Sequence, residues 1–291
     1  MSTVLLIDYS SLLYRAFHSL PDSLPMRGVY GFLTMLARLV TDHRPGGLAI
    51  AVDDDWRPAF RVAALPSYKT HRVAAKGEEE DDPIAPQETV GRAVLRALGF
   101  SVVGADGFEA EDVIATLAAR SGSESIAIVS GDRDLFTLVH DPVVSVLYPQ
   151  TGVSKLTVVD EAEITRRYGI PGRAYGDFAL LRGDPSDGLP GVRGIGEKTA
   201  AKLVAEYGSL DAILHATNLP PAVARRLDAG REYLAAARRV VLPVADVPLP
   251  PVSLALPSAP ADPRALQRLV GAHGLDTPVG RVQQALASAA R

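Results

Sequence analysis

The run VLLID at residues 4–8 is a short, β-prone apolar segment that ends in an acid. LAIAV at residues 48–52 repeats this form and leads into Asp53, and SIAIV at residues 125–129 leads into Ser130, Gly131 and Asp132. Runs that are short and apolar throughout indicate strands buried on both faces of a parallel sheet. Helical patterns separate the runs, at residues 11–20, 30–42, 86–98 and 110–120. The alternation predicts an α/β fold with a mostly parallel central sheet and helices on both of its faces.

The second half of the chain has a different character. Five short helical patterns follow one another, at residues 164–169, 173–181, 197–207, 209–215 and 231–241. A proline-rich stretch from about residue 244 to 263 then predicts an extended segment before one or two final helices. We therefore predict an α/β core over residues 1–160, a helical region over 161–243 and a C-terminal part over 244–291.

Composition excludes several classes of protein. The chain has 291 residues, of which 47% are hydrophobic and 22% charged, as expected for a globular protein. It has no cysteine, which excludes a disulfide framework, thiolate metal sites and a cysteine nucleophile. No apolar run approaches the roughly 18 residues of a membrane span, and no basic segment precedes the first run. We expect a cytoplasmic enzyme or binding protein.

Acids stand where the predicted strands end. Asp8, Asp53 and Asp132 each follow one of the three runs, and the carboxyl ends of parallel strands form the ligand-binding edge of such a sheet. Three further acidic clusters occur at residues 109–112, 132–134 and 184–187, although a helix first turn or an ordinary turn would explain each of them alone. The nine acids are Asp8, Asp53, Glu109, Glu111, Asp112, Asp132, Asp134, Asp184 and Asp187. Convergence of so many carboxylates requires cations, and oxygen ligands without histidine favour Mg²⁺ or Mn²⁺.

The net charge of −4 at first argues against a nucleic-acid partner. Without the nine acids, the formal net charge of the rest of the chain is +5. The remaining surface is therefore net basic, and a nucleic acid stays a candidate ligand.

A glycine-rich segment, LPGVRGIGEKTA, spans residues 189–200. It is not a phosphate-binding P-loop, because Glu197 stands between Gly196 and Lys198 and no strand precedes it. A tight hairpin that opens a helix, with backbone amides and Lys202 directed at a phosphate, fits the residues better. Such an element would hold a nucleic-acid backbone without reading its bases. The alternative is an ordinary glycine-rich connection between helices.

Taken together, these motifs resemble the 5′ nuclease, or flap endonuclease, family, including the 5′-nuclease domain of bacterial DNA polymerase I. The resemblance runs from residue 4 to about residue 214. It is carried by LIDYSSLLYRAF at 6–17, FR at 60–61, YKTHR at 68–72, GFEAED at 107–112, GDRDL at 131–135, GDPSDGLPG at 183–191 and GIGEKTA at 194–200.

The resemblance implies a structure-specific, metal-dependent phosphodiesterase of replication and repair, acting as a 5′ flap endonuclease and 5′–3′ exonuclease on DNA with a flap, a nick or a 5′ end. The RNA of RNA–DNA hybrids is a further candidate substrate. The nine acids would bind two or three Mg²⁺ or Mn²⁺ ions, with Asp132 and Asp134 central to catalysis. We expect a monomer.

The resemblance also implies DNA contacts. Lys69 and Arg72 would polarise the scissile phosphate at the base of a helical arch near residues 68–90, Tyr68 would stack on a base, and Arg15 would contact a phosphate. The segment 191–199 would be a helix–hairpin–helix element that holds duplex and can coordinate K⁺ through backbone carbonyls. The implied DNA-binding residues are Arg15, Tyr68, Lys69, Arg72, Gly191, Gly194, Gly196, Lys198, Thr199 and Lys202.

Several positions depart from the family pattern. Glu111 replaces an aspartate, Gly188 replaces an asparagine, and acids at residues 78–82 stand where the arch should be basic. AVD at residues 51–53 replaces the usual VFD, and no polymerase follows, so we expect a stand-alone nuclease. Two alternatives are a non-catalytic paralogue that binds branched DNA and an RNA-cleaving enzyme on a related fold.

Overall fold

The computed structural model describes residues 3–73, 82–122 and 124–289. Within them, one sheet has the strand order β3-β2-β1-β4-β5-β6, and all neighbouring pairs are parallel except β5 with β6. The strands are β1 Thr3–Asp8, β2 Gly47–Ala51, β3 Ser101–Val103, β4 Ser125–Val129, β5 Val144–Pro149 and β6 Leu156–Val159. The predicted mostly parallel sheet is confirmed.

Strand register brings the predicted acidic positions to one edge. β1 is central and pairs with β2 on one side and with β4 on the other, with Asp8 opposite Ala51 and Ile7 opposite Val129. All of β2 and nearly all of β1 and β4 are buried, as their continuous apolar sequences require. The loops that follow these three strands therefore start side by side at the carboxyl edge of the sheet.

Helices cover both faces of the sheet. They are α1 Tyr9–Ser19, α2 Arg27–His43, α3 Ala59–Ala64, α4 Ala85–Leu98, α5 Ala110–Arg120, α6 Glu161–Tyr168, α7 Tyr175–Arg182, α8 Glu197–Tyr207, α9 Leu210–His215, α10 Pro221–Ala229, α11 Arg231–Val241, α12 Pro263–His273 and α13 Asp276–Ala289. Apolar residues of α1, α2, α4, α12 and α13 form the core of one face. Those of α5 and of the helices from α6 to α11 form the core of the other.

The proline-rich segment is extended, as predicted, and it is hydrogen-bonded to the α/β core. The Leu48 amide donates to the Leu254 carbonyl at 2.7 Å, and the Arg120 guanidinium donates to the carbonyls of Val247 and Leu249 at 2.9 and 3.0 Å. These bonds carry the chain back across the core, so that α12 packs on α4 and α13 packs on α2.

Local sequence patterns missed some elements. The short helices α3 and α10 and the strands β3, β5 and β6 were not predicted, whereas β4, α5, α8 and α11 have the predicted bounds. Of the predicted arch, the structure describes a 3-10 turn at Thr70–Arg72 and the start of α4 at Ala85. Residues 74–81, with most of the acidic run, lie outside the described residues. No helix in the described ranges is long and apolar enough to cross a membrane.

Candidate active site

An open cavity of about 1010 Å³ lies at the carboxyl edge of the sheet. Its lining includes four Lys or Arg side chains, namely Arg15, Lys69, Arg72 and Arg133. Eight of the nine predicted acids also line it: Asp8, Asp53, Glu109, Glu111, Asp132, Asp134, Asp184 and Asp187. The predicted convergence of carboxylates is therefore present for these eight.

Asp8 stands at the end of β1 and caps α1. Its Oδ1 accepts a hydrogen bond from the Ser11 amide at 3.1 Å, and its Oδ2 accepts one from the Ser130 hydroxyl at 2.6 Å. Burial and the nearby charge of Asp53 raise the pKa of Asp8 to about 7, even though both hydrogen bonds favour the charged form. Among the described residues, no Lys or Arg side chain forms an ion pair with Asp8.

Asp53 is held by its neighbours on two sides. Its Oδ1 accepts a hydrogen bond from the Ala110 amide at 2.7 Å, at the first turn of α5. Its backbone carbonyl accepts one from Arg92 Nη2 at 2.5 Å, and Arg92 Nη1 also binds Asp54 Oδ1 at 2.6 Å. The loop after β2 is therefore tied to both α4 and α5.

Arg61 is a fully buried cation beneath the cavity floor. It pairs with Glu109, with Glu111 Oε1 at 2.5 Å and with Asp112 Oδ1 at 2.7 Å. Its guanidinium therefore offsets part of the charge of three acids at the start of α5, two of which line the cavity.

The structure does not support the ligand role predicted for Asp112. This side chain is fully buried and faces Arg61, away from the cavity. Its Oδ2 accepts a hydrogen bond from the Glu109 amide at 3.2 Å, which closes a capping box, and its Oδ1 accepts one from the Val244 amide at 2.7 Å. Arg61 and two backbone amides of the fold occupy this carboxylate, so Asp112 is a structural residue in this conformation.

Glu111 departs from the family pattern and keeps a cation partner. Burial raises its pKa well above the usual value, although the Arg61 charge opposes that shift. The longer arm of glutamate places this carboxylate on Arg61 while it still lines the cavity.

Asp132, Asp134, Asp184 and Asp187 form the most repulsive part of the cavity. Burial raises the pKa of Asp132, and burial together with the charges of the other three raises the pKa of Asp134 well above its usual value. The Asp134 amide donates to Asp132 Oδ1 at 2.9 Å, which places the two carboxylates on one turn. Asp184 Oδ1 is fixed by the Ser186 amide at 2.8 Å.

Lys69 and Arg72 line the cavity on the side of the predicted arch. Lys69 Nζ pairs with Glu109, and Arg72 Nη2 binds Asp187 Oδ1 at 2.6 Å and the Ser186 carbonyl at 2.7 Å. Burial alone would lower the pKa of Lys69, but Glu109 and Asp187 outweigh it and raise the pKa, so the amine stays charged. Lys69 has a left-handed backbone and precedes the 3-10 turn at Thr70–Arg72.

Tyr68 cannot stack on a base in this conformation, contrary to its predicted role. Its side chain is only 2% exposed, and its hydroxyl donates to Glu109 Oε2 at 2.6 Å. The ring packs in the core as a support for Glu109. An aromatic contact with DNA would need a different, exposed ring.

Arg15 projects from α1 into the cavity beside Gly131. Its Nε is buried and has no hydrogen-bond partner among the described residues. A side chain at position 131 would collide with the guanidinium, so the glycine makes room for it. Arg15 is available to an anion that enters the cavity.

The packing of the loop after α7 explains why residue 188 is a glycine. The Gly188 carbonyl accepts a hydrogen bond from the Ser67 hydroxyl at 2.7 Å, and the Lys69 amide donates to the Asp187 carbonyl at 3.0 Å. Gly188 has φ 75°, and a Cβ there would clash with the Ser67 carbonyl. Glycine thus lets the loop with Asp184 and Asp187 dock on the segment that carries Lys69.

The predicted hairpin at residues 191–199 follows the cavity residues Asp184 and Asp187 closely in sequence and leads into α8. Gly191 has φ 69° and lies against the Arg182 carbonyl, so its role is to allow close packing with α7. Gly194 has φ 82°, and its carbonyl accepts a hydrogen bond from Arg226 Nη1 at 3.0 Å. Gly196 precedes α8 with an ordinary extended backbone and open space around it. Lys198 and Lys202 are exposed on α8 and Thr199 is half-buried.

Comparison with known proteins identifies the family. Residues 3–169 match the 5′–3′ exonuclease N-terminal resolvase-like domain, and residues 170–263 match the 5′–3′ exonuclease C-terminal SAM fold. The chain belongs to the 5′–3′ exonuclease family. A 5′–3′ exonuclease of Streptomyces coelicolor is 49% identical over 289 residues, which cover 93% of this chain and 96% of that protein.

Two further relatives of this 5′–3′ exonuclease family member extend the comparison. DNA polymerase I of Mycobacterium bovis is 42% identical over 279 residues, which cover 92% of this chain and 30% of the polymerase. The solved structure of the phage T5 D15 flap endonuclease with DNA and metal ions has a TM-score of 0.67 at 20% identity, and the match covers 99% of this chain and all of that one. The predicted family and its nuclease class are confirmed.

The donor set in this 5′–3′ exonuclease fits a hard divalent cation. Among the described residues, no three Asp, Glu or His side chains are placed so that together they could hold a metal ion. Mg²⁺ does not need such a set of three, because it commonly uses one or two carboxylates together with waters and substrate phosphate. Burial and the charges of Asp132, Asp187 and Asp184 raise the pKa of Asp134, and a bound cation would oppose both effects.

Sequence reasoning missed two residues that organise the exonuclease site. Arg61 was noted only as part of a motif, and Arg92 was not singled out. Both act from below the cavity, on Glu109 and on the loop of Asp53. The signal available in the sequence was an arginine next to Phe60 in a segment that is otherwise apolar, and no local rule predicts that such a side chain is fully buried.

Proposed function

We propose that this chain hydrolyses phosphodiester bonds near the 5′ end of branched DNA, as a 5′ flap endonuclease and 5′–3′ exonuclease that requires divalent metal ions. The observation that carries the proposal is the single cavity in which eight carboxylates meet Arg15, Lys69 and Arg72. Acids and cations that line the same cavity suit a phosphate held between metal ions and protein.

Asp8, Asp53, Glu109, Glu111, Asp132, Asp134, Asp184 and Asp187 would hold two or three Mg²⁺ or Mn²⁺ ions. Such ions, when bound, supply a nucleophilic hydroxide and stabilise charge on the attacked phosphate. The carboxylates would fix the ions at the edge of the sheet, because Ser130 ties the loop after β4 to Asp8 and the Ala110 amide ties α5 to Asp53.

Lys69 and Arg72 would bind the scissile phosphate. Both are already held by acids of the site, so a phosphate would exchange one anionic partner for another without moving the backbone. Arg15, whose Nε has no partner in the described structure, would bind a neighbouring phosphate. These cations favour the transition state because charge on the phosphate oxygens grows as the bond breaks.

The segment 191–199 would hold duplex DNA as a helix–hairpin–helix element. Its support is the open backbone at Gly196, the uncapped start of α8 and the exposed Lys198 and Lys202. The Gly194 carbonyl already accepts a bond from Arg226, so a K⁺ ion at this hairpin would use other carbonyls or displace that arginine.

The substrates we propose are DNA with a 5′ flap, a nick or a free 5′ end, and the RNA of RNA–DNA hybrids. The phage T5 D15 relative is a flap endonuclease bound to DNA and metal ions, which supports DNA and divalent metal for this chain too. Backbone contacts tolerate a hybrid, because they do not depend on base identity. We expect the protein to act as a monomer.

A substrate panel tests the proposal. The protein is incubated with 5′-labelled 5′-flap, nicked, 3′-flap, single-stranded and hybrid substrates in Mg²⁺ or Mn²⁺. We expect cleavage of the 5′ flap near its junction, slower release from the nick and no cutting of the 3′ flap. Binding of branched DNA with no cleavage in either metal would instead identify a non-catalytic branched-DNA-binding protein.

A further inference from the structure

Trp56 is an exposed aromatic side chain on the wall of the catalytic cavity. It lies in the loop between β2 and α3, lines the cavity together with Lys69 and Arg72, and is 46% exposed. It is the only tryptophan in the chain. No predicted role was assigned to it, and the motifs that carry the family resemblance do not include it.

The backbone that carries Trp56 is tied down on both sides. The Asp55 amide donates to the Phe108 carbonyl at 3.2 Å, and the Arg57 amide donates to Asp55 Oδ1 at 3.0 Å. Arg57 Nε donates to the Tyr68 carbonyl at 2.7 Å, and Lys69 Nζ lies 3.4 Å from the Trp56 carbonyl. These bonds hold the backbone of Trp56 beside the phosphate-binding cations and leave its indole exposed.

An exposed indole in a cavity lined by charged groups can bind a flat, apolar ligand by stacking. Within the described residues, no ring or cation stacks on it. Carboxylates cannot bind an indole face, and the sugar–phosphate chain has its own partners in Lys69 and Arg72. The part of a nucleic acid that fits the indole is a base, since each base has a π-face that stacks on aromatic side chains.

We propose that Trp56 stacks on a nucleobase of the strand that enters the cavity, next to the phosphate held by Lys69 and Arg72. This inference rests on the proposed function, because it requires DNA in the cavity. Trp56 would make the stacking contact that was predicted for Tyr68, whose ring is buried. Stacking of this kind tolerates any base, so it positions the strand without selecting a sequence.

Indole emission measures this contact directly, because Trp56 is the only tryptophan in the sequence. The protein is titrated in chelator with 5′-flap DNA, and binding is followed both by anisotropy of a dye on the far duplex end and by indole emission. The same titrations use a set of DNAs in which an abasic site replaces each nucleotide within five positions of the junction in turn. We expect quenching of the indole emission by intact DNA and loss of that quenching at one or two abasic positions.

Variants separate stacking from general effects on the loop. Trp56→Ala should weaken flap binding by about tenfold, which is the lower part of the range for losing one stacked base, whereas Trp56→Phe should retain most of the affinity. In Trp56→Ala, the sensitive abasic positions should no longer matter, because the contact is already lost. Val158→Ala removes a comparably exposed apolar side chain on β6 and should change nothing.

The outcomes distinguish the two proposals. DNA binding by anisotropy with unchanged indole emission and no sensitive abasic position would overturn the stacking role and leave the nuclease assignment intact. Failure of every DNA to bind, both in chelator and with Mg²⁺ present, would overturn both.

Discussion

Arg61 Nη2 lies 2.7 Å from Asp112 Oδ1, and both side chains are fully buried. The same carboxylate oxygen accepts a hydrogen bond from the Val244 amide, where the extended C-terminal segment begins. Through Arg61 this pair also reaches Glu109 on the cavity wall. One buried pair thus connects the C-terminal segment with the candidate active site.

Arg61→Ala should destabilise the protein strongly. It would leave Glu109, Glu111 and Asp112 without their shared cation, and breaking a buried pair in this way costs about 3–5 kcal/mol. Urea unfolding in chelator measures the loss. Arg38→Ala is the matched control, because its pair with Asp42 is exposed and should be worth less than about 1 kcal/mol. Equal effects of the two substitutions would show that the buried cluster does not stabilise the fold.

The pair of Arg61 and Asp112 shows which features of the site could not be predicted from the sequence. Alternating apolar runs predict the sheet, and strand ends predict that Asp8, Asp53 and Asp132 meet, because both depend on local pattern and parallel topology. Whether Asp112 faces metal or protein depends on Arg61 and Val244, which lie 51 and 132 residues away. Tyr68 was misjudged for the same reason, because its burial depends on packing that no local pattern encodes.

The edge strand β6 was not predicted from the sequence, for a different reason. β6 has only four residues, and their burial does not alternate, so no strand period can be recognised there. Its antiparallel direction reflects a hairpin with β5. The C-terminal helices were expected, but their return to α2 and α4 follows from hydrogen bonds of the proline-rich segment to Leu48 and Arg120.

Stability of the metal-free protein should fall as pH rises from about 4 to about 7. The pKa of Asp8 is raised from 3.8 to about 7, and the pKa of Asp134 is also raised, so the folded state binds more protons than the unfolded state across this range. Each unit of pKa shift is worth about 1.4 kcal/mol. Unfolding midpoints in chelator at several pH values measure the effect.

Two additions check the origin of that pH effect. Asp134→Asn should flatten the profile, because it removes one of the repelling charges, and Mg²⁺ should restore stability most at pH 8, where the carboxylates are ionised. The unfolding midpoint of the metal-free protein could instead rise between pH 4 and 7. That result would mean that ionisation of Asp8 and Asp134 does not destabilise the folded state.

Lys69→Ala and Arg72→Ala should both slow single-turnover cleavage by more than about tenfold, because each removes a cation from the phosphate site. Their effects on stability should differ. Lys69 is the partner of buried Glu109, so its loss should also lower the unfolding midpoint, whereas Arg72 is 44% exposed and should be nearly neutral. Rapid-quench assays on 5′-flap DNA and thermal unfolding measure the two effects. Cleavage at the parent rate in both variants would remove these residues from catalysis.

Gly196→Ala tests the hairpin without straining it. The residue has φ −85° and open space around it, so an added methyl should fit the fold and only block close approach of DNA. Duplex affinity should fall by about fivefold, the value of one net hydrogen bond, and equally for all sequences. Gly271→Ala, which also has open space, is the control. A loss limited to some sequences would mean that the hairpin contacts bases.

The most direct test of the central claim is single-turnover cleavage of 5′-labelled flap DNA in excess chelator, followed by addition of Mg²⁺. The parent protein should cut nothing until the metal is added and should then cut near the junction. Asp134→Asn should still bind the DNA but cleave at least about 100-fold more slowly, as expected when a metal ion that stabilises transition-state charge loses a ligand, while Asp42→Asn, in an exposed ion pair on α2, should behave as the parent. Cleavage in chelator, or full activity of Asp134→Asn, would contradict a metal-dependent site built on these carboxylates.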